Sequence, residues 1–144
     1  AIFSNRATME YWSWQPHSSV AETVYILEDM VGSFGVEGAD FVVEYEAAVI
    51  GTVGFSKFPE IGFIFHPSCW RSGFATEAVS AAIEYGFFQK KLPEIVADVD
   101  PRNTGSIRVL EKLGFQETHR ETKTILVGDV WYNSAYFNLK RSDI

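Results

Sequence analysis

The sequence predicts an α+β (α/β mixed) fold in which helices flank a mixed, mostly antiparallel β-sheet. Six stretches rich in β-branched and aromatic residues have the composition of strands. Two longer stretches between the later strands have the apolar spacing of helices. The chain has 144 residues, of which 47% are apolar. This size is typical of one folded unit, so we expect a single domain over residues 1–144.

The first part of the chain is expected to hold a loop, a helix and a second loop. Tyr11, Trp12 and Trp14 are crowded together, and we expect them to pack as a lid or loop on the domain. Residues 19–22 read Ser-Val-Ala-Glu, a capping box that predicts a helix from there to about residue 30. Glycines at 32, 35 and 38 then mark a connector.

From residue 40 onward the sequence predicts six strands and two further helices. The strands are expected at 40–46, 48–55, 60–65, 95–100, 115–127 and 130–139, and the helices at 75–90 and 104–113. Short turns between the first three strands predict an antiparallel meander. Gly114 is placed to end the second helix, and Gly128 begins the turn between the last two strands.

Composition excludes several classes of protein. Twelve Lys and Arg stand against 19 Asp and Glu, a net charge of −7. This balance argues against a nucleic-acid-binding protein and suits a cationic substrate. Cys69 is the single cysteine, so neither an internal disulfide nor a cysteine-based zinc site can form. No stretch has the character of a signal peptide or membrane span, and we expect a cytoplasmic protein without membrane contact or bound metal.

Residues 61–78, IGFIFHPSCWRSGFATEA, are predicted to run from a strand through a short loop into a helix. Such a junction points several backbone N–H groups into one concavity, where the helix dipole favours an anion. Gly73 allows close approach of a ligand, and Arg71 and Thr76 offer side-chain donors. The loop matches neither the Walker pattern nor the dinucleotide-binding pattern. A pyrophosphate site and an ordinary helix start are the two interpretations that the loop leaves open.

A second segment, VDPRNTGSIRVLEKLGF at residues 99–115, makes the pattern more specific. Together the two segments resemble the GNAT superfamily of acetyl-CoA-dependent N-acetyltransferases, and within it the RimJ/RimL-type branch that acetylates protein N-terminal amines. The stretches YWSWQPHSSVAET and GDVWYNSAYFNL are also similar to that branch. The resemblance implies a GNAT-like acyl-CoA N-acyltransferase fold with acetyl-CoA as cosubstrate.

The resemblance also implies which residues contact the coenzyme. The superfamily's loop pattern, Gln/Arg-x-x-Gly-x-Gly/Ala, falls on residues 70–75, with Trp70 at the Gln/Arg position. This departure removes one polar side chain but leaves the backbone donors. The residues implied in cofactor binding are Phe65, Arg71, Ser72, Gly73, Phe74, Ala75, Thr76, Asn103 and Ser106.

Acetyl transfer needs an oxyanion donor, a group that stabilises the departing thiolate, and a neutral amine. The amide after Ile64 or after Phe65 is a candidate oxyanion donor. Many relatives have a tyrosine where this chain has Leu110, so Ser106 is the expected catalytic partner of the thiolate. The general base is left open among Glu44, His66, Asp98, His119, Glu121 and Asp129.

The expected acceptor is a primary amine, first of all a protein or peptide N-terminal amine. A polyamine or aminoglycoside is the alternative substrate, and a catalytically inactive coenzyme A-binding module is the alternative class. RimJ/RimL-type chains usually begin with a further strand that has no counterpart in this sequence. We therefore expect a bare sheet edge, covered by residues 2–12 or paired with a second copy in a homodimer.

Overall fold

The computed structural model describes residues 36–143, which form a six-stranded mixed sheet in the order β1–β2–β3–β4–β6–β5. The strands are β1 (Ala39–Tyr45), β2 (Ala48–Lys57), β3 (Glu60–Phe65), β4 (Glu94–Val99), β5 (Gln116–Val127) and β6 (Val130–Lys140). The helices are α1 (Phe74–Glu84), which continues into a π-helical turn (Tyr85–Gln89), and α2 (Thr104–Lys112). The expected aromatic lid, the capping box at 19–22 and the cover by residues 2–12 lie outside the described residues.

The predicted elements are confirmed from residue 40 onward, and their ends differ by no more than two residues when the π-helical turn is counted with α1. The first three strands form the expected antiparallel meander. Gly128 has a φ of 61° in the turn that joins β5 to β6, and Gly114 has a φ of 96° just after α2. Both turns use the left-handed backbone conformation that glycine adopts at little cost.

Helices α1 and α2 pack on the same face of the sheet, because their buried residues join one core cluster with the strand residues that point to that face. The core of the described residues includes Val53, Phe55, Ile61, Ile95, Ala97, Ala135, Phe137 and Leu139 from the sheet, and Val79, Ala82, Ile83, Phe87 and Leu110 from the helical segments. Gly86 permits this close packing, since a Cβ there would lie 2.8 Å from the ring of Phe55. No helix in the described part of the chain combines the length and apolar character that a membrane span needs.

The sheet opens between β3 and β4, its one parallel pair. Their ladder consists of a single residue pair, Glu60 with Val96. Close to it, the Val96 N–H donates to the Pro59 carbonyl at 3.0 Å. Beyond this point the two strands have no further pairing, so a gap separates their carboxyl ends. Helices α1 and α2 begin next to this gap, and the fold therefore brings two helix N-termini to one place.

Candidate active site

A cleft of about 490 Å³ occupies the helix side of the gap between β3 and β4. Its walls are the end of β3, the loop that follows, and the first turns of α1 and α2. The lining residues are Phe63, Ile64, Phe65, Cys69, Trp70, Arg71, Gly73, Ala75, Thr76, Arg102, Asn103, Thr104, Gly105, Ser106, Arg108 and Val109. The two segments that sequence analysis singled out thus face each other across one cavity.

Two of the expected coenzyme contacts, Ser72 and Phe74, are not among the lining residues. The Ser72 hydroxyl donates to the Trp70 carbonyl at 3.3 Å. The Phe74 ring packs on Tyr45, with ring centroids 4.7 Å apart. Their side chains therefore stabilise the loop and the start of α1, whereas the other seven expected contacts line the cleft.

The loop before α1 leaves the helix start open to a ligand. Gly73 is the N-cap residue, with a φ of 83°, and no side chain caps the first turn. A Cβ at this glycine would have nothing within 4 Å, so the space in front of the backbone is open. Arg71 also has a positive φ, 62°, which is uncommon for a residue with a side chain. The first N–H groups of α1 are thus available to an anion.

Trp70 ties this loop to the end of β3. Its indole Nε1–H donates to the Phe65 carbonyl at 2.9 Å. We expected tryptophan at this position to remove a polar group from the loop, but the structure shows that its N–H is used within the chain. The bond spans the short 3-10 turn Pro67–Cys69 and fixes where the loop leaves the strand.

Phe65 turns its backbone toward the gap. Hydrogen-bonded and non-bonded pairs alternate along an antiparallel ladder. The His66 N–H donates to the Ile50 carbonyl at 2.8 Å, and the next pair is Phe65 with Gly51. The N–H and carbonyl of Phe65 therefore face away from β2. Of the two expected oxyanion donors, the His66 amide is engaged within the sheet and the Phe65 amide faces the gap.

The start of α2 presents Ser106 to the same cleft. The Asn103 side-chain oxygen accepts from the Ser106 N–H at 3.1 Å and caps the helix. This cap holds the backbone of Ser106, while its side chain lies among the lining residues. Leu110, one turn further along α2, is fully buried in the core. Among the described residues of α2, the hydroxyl-bearing side chains that line the cleft are thus those of Thr104 and Ser106.

The cleft is positive although the chain is acidic overall. Arg71, Arg102 and Arg108 line it, and none of the described lining residues is Asp or Glu. The Arg102 guanidinium holds the buried Asp100 carboxylate, with Nη2 to Oδ2 at 2.7 Å and Nε to Oδ1 at 3.0 Å. Burial alone would raise the pKa of Asp100, but the hydrogen bonds and charge of Arg102 lower it below its usual value. The cleft therefore suits a phosphate-bearing ligand.

The six candidate bases do not share one location. Glu44 lies on β1, His66 begins the 3-10 turn and Asp129 lies in the turn between β5 and β6. The His66 ring accepts from the Ser68 N–H at 3.2 Å, which makes it a capping group. The remaining three, Asp98, His119 and Glu121, gather on the sheet face opposite the helices.

Strand pairing explains this gathering. Asp98 on β4 pairs with Tyr136 on β6, and Glu121 on β5 pairs with Ser134 on β6. Paired residues point to the same face, so these side chains share one surface. The His119 ring stacks on Tyr136 at a centroid distance of 4.5 Å. Burial raises the pKa of Asp98 above its usual value, and the nearby Glu121 charge raises it further, whereas a hydrogen bond from Ser134 lowers it.

Sequence analysis missed Ser134 and Tyr136 in this group. The alternation of apolar and polar residues along β6 is the signal that could have placed them on one face. It also missed the bond from Trp70 to Phe65, which no spacing rule predicts.

Comparison with known proteins identifies the family. The model of the acetyltransferase (GNAT) domain matches residues 1–116. YnaD, an uncharacterized N-acetyltransferase of Bacillus subtilis (strain 168), is 34% identical over 101 residues, which are 67% of this chain and 59% of YnaD. Spermidine N(1)-acetyltransferase of Escherichia coli (strain K12) is 28% identical over 96% of this chain and 74% of its own length. The match thus spans less than two thirds of the length of YnaD.

Solved structures show the same fold. An acetyltransferase (GNAT family) from Bacillus anthracis has a TM-score of 0.83 at 27% identity, over 98% of this chain and 86% of that one. Spermidine N-acetyltransferase from Vibrio cholerae, in complex with CoA and spermine, has a TM-score of 0.84 at 22% identity. The match covers 99% of this chain and 87% of that one. Ribosomal-protein-alanine N-acetyltransferase from Brucella melitensis has a TM-score of 0.78 at 16% identity. The match covers 96% of this chain and 90% of that one. The expected GNAT fold is confirmed.

Proposed function

Since this chain belongs to the GNAT family of acetyltransferases, we propose that it transfers the acetyl group of acetyl-CoA to a primary amine of a small polycation such as spermidine. The main observation is the division of charge across the gap between β3 and β4. The helix side has an arginine-lined cleft at two helix N-termini. The opposite face gathers carboxylates. An anionic coenzyme and a cationic acceptor would therefore approach from opposite faces of the sheet.

The cleft residues fit the coenzyme. The uncapped first turn of α1 would hold the pyrophosphate, and Arg71 and Arg108, which line the same cleft, would add side-chain donors. The backbone of Phe65 would meet the amide-bearing arm, because it faces the gap rather than β2. When bound, acetyl-CoA supplies an acetyl group that is already activated as a thioester.

Two groups of the chain would assist the transfer itself. The Phe65 amide faces the gap, where it would donate to the acetyl oxygen, and a fixed backbone donor stabilises the negative charge that develops there. The Ser106 hydroxyl would donate a hydrogen bond to the departing sulfur. Asn103 supports this role because it anchors the Ser106 backbone at 3.1 Å.

The acidic face favours an acceptor with several positive charges. Glu60 and Asp98 interact electrostatically, and so do Asp98 and Glu121, so the three carboxylates form one negative region. A polyamine bears two or more ammonium groups and would be attracted more strongly than a peptide with one. The names of the Escherichia coli and Vibrio cholerae proteins support this choice. A protein N-terminal amine, the first expectation from sequence, is the second candidate, supported by the name of the Brucella melitensis neighbour.

A panel of amines tests the proposal. Release of the free thiol from acetyl-CoA would be followed with spermidine, spermine, and an alanine-starting peptide with a free or a blocked N-terminus. We expect kcat/KM for spermidine to exceed that for the free peptide at least about tenfold, and to fall with added salt because screening weakens the attraction. A faster reaction with the free peptide would instead assign N-terminal acetylation. Coenzyme binding without thiol release from any amine would indicate an inactive binding module.

A further inference from the structure

The sheet face opposite the coenzyme cleft holds a buried acceptor atom that the fold itself does not use. Asp98 Oδ1 is fully buried and has no hydrogen-bond partner within the described residues. Asp98 is the residue before the end of β4, in the part of the strand where β3 and β4 have already diverged. A buried carboxylate oxygen without a donor is rare in folded proteins, and it is well suited to receive one from a ligand.

Polar side chains of β6 and β5 lie on the same face as this carboxylate. Asp98 pairs with Tyr136 across β4 and β6, and the fully buried Ser134 lies on the same face of β6. The Ser134 hydroxyl lies 2.6 Å from the Thr124 hydroxyl, which in turn donates to the Tyr132 carbonyl. These hydroxyl groups thus have partners of their own, whereas Asp98 Oδ1 has none within the described residues.

Charged side chains at the surface share this face with Asp98. Glu121 on β5 pairs with Ser134 on β6. The Glu121 carboxylate lies 3.4 Å from His119 Nε2, and both side chains are more than half exposed. The face therefore combines one buried, unpartnered carboxylate oxygen with exposed charges in contact with water.

We propose that Asp98 accepts the proton of the acceptor's ammonium group and releases it to water after the transfer. This inference rests on the proposed function, because it assigns the base of that same reaction. It also separates the roles of the carboxylates: Asp98 contacts the reacting nitrogen, whereas Glu60 only adds negative charge to the face.

The charges around Asp98 make it a stronger base than an exposed aspartate. Glu60 on β3 and Glu121 on β5 are like charges, His119 on β5 is the nearby basic group, and Tyr136 on β6 is neutral at physiological pH. Burial and Glu121 raise the pKa of Asp98, which narrows the difference from the pKa of an alkyl ammonium, about 10. A smaller difference makes the proton transfer less unfavourable.

The protons and bonds of the reaction balance with these residues. One ammonium proton moves to Asp98 Oδ1, and the freed electron pair on nitrogen forms the nitrogen–carbon bond. As the carbon–sulfur bond breaks, sulfur keeps the electron pair, with Ser106 as its hydrogen-bond donor. A second proton from the nitrogen neutralises the sulfur, and Asp98 gives up its proton to water once the product has left. No oxidant, reductant or metal takes part in these steps.

The test compares Asp98→Asn with Asp40→Asn. Asp40 on β1 is also half-buried and has a pKa raised by burial, but it lies three strands from β4. We would measure kcat/KM for the better amine of the panel from about pH 6.5 to 9.5, and acetyl-CoA affinity by calorimetry. We expect Asp98→Asn to lose about 100-fold at neutral pH, the effect of a general base. Its activity should then rise about tenfold per pH unit as the neutral amine becomes more abundant, whereas wild type and Asp40→Asn stay level above neutral pH.

Unchanged acetyl-CoA affinity in Asp98→Asn would show that the fold and coenzyme cleft are intact. If that variant does not fold, Asp98→Glu replaces it and should retain a level pH profile, because it keeps a carboxylate. The inference would be overturned if wild type is active and Asp98→Asn is equally active. It would also be overturned if the activity of Asp98→Glu rises with pH. Either result would leave the proposed function intact. A wild type that binds acetyl-CoA but acetylates no amine would overturn the proposed function and this inference with it.

Discussion

Replacing Trp70 with phenylalanine would test whether one hydrogen bond holds the coenzyme loop in place. The substitution keeps an aromatic ring in the cleft wall but removes the indole N–H that donates to the Phe65 carbonyl at 2.9 Å. A bond of this kind contributes about 0.5–1.5 kcal/mol net. Because Trp70 is 50% exposed, water can replace part of the lost bond, and we adopt about 1 kcal/mol. A loss of this size lowers an equilibrium constant about fivefold.

If the bond orders the loop, acetyl-CoA affinity measured by calorimetry should fall about fivefold in Trp70→Phe. The Tm should fall by about 3–5 °C, since the same bond joins the loop to the sheet. Trp131→Phe is the matched control, because Trp131 is 51% exposed on β6 and is absent from the cleft lining. Equal acetyl-CoA affinities in the two variants would refute the reasoning, even if both were less stable than wild type.

Two further substitutions address the catalytic and structural groups of the cleft. Ser106→Ala should lower kcat by about ten- to a hundredfold with little change in KM for the amine. The control Ser56→Ala on β2 should change neither kcat nor KM. A rise in KM alone in Ser106→Ala would reassign Ser106 to binding. Asp100→Asn should lower the Tm at pH 6, because Arg102 lowers the folded-state pKa of Asp100 below 3.8. That stabilisation is present above this value and is lost as pH falls through the folded-state pKa, so the Tm difference should shrink below about pH 4. A difference that stays constant down to pH 2.5 would contradict this assignment.

The elements of this fold could be predicted because their signals are local. The meander from β1 to β3 follows from β-branched runs and short turns, and the start of α1 follows from Gly73 after a short loop. Residues within one segment determine these features, so spacing and composition are sufficient. The resemblance to a family then indicated that the loops at 70–76 and 103–106 belong to one site.

The features that join distant segments could not be predicted. Ladder pairing between β3 and β4 stops after Glu60 and Val96, and nothing in either strand's composition records this divergence. The acidic face depends on the register of three strands, which aligns Asp98 with Tyr136 and Glu121 with Ser134. A shift of one residue in that register would turn these side chains to the opposite face.

Calorimetric titration of acetyl-CoA into wild type and Gly73→Val tests the central claim that the cleft at the start of α1 binds the coenzyme. A valine here places a β-branched side chain at a φ of 83° and in the open space before the helix. Gly62→Val on β3 is the control, since a Cβ at that glycine also has nothing within 4 Å. We predict that wild type and Gly62→Val bind acetyl-CoA with equal affinity. Gly73→Val should bind it at least about tenfold more weakly while its circular dichroism spectrum shows a folded protein. An unchanged affinity in Gly73→Val, or a wild type that does not bind acetyl-CoA, would contradict the account.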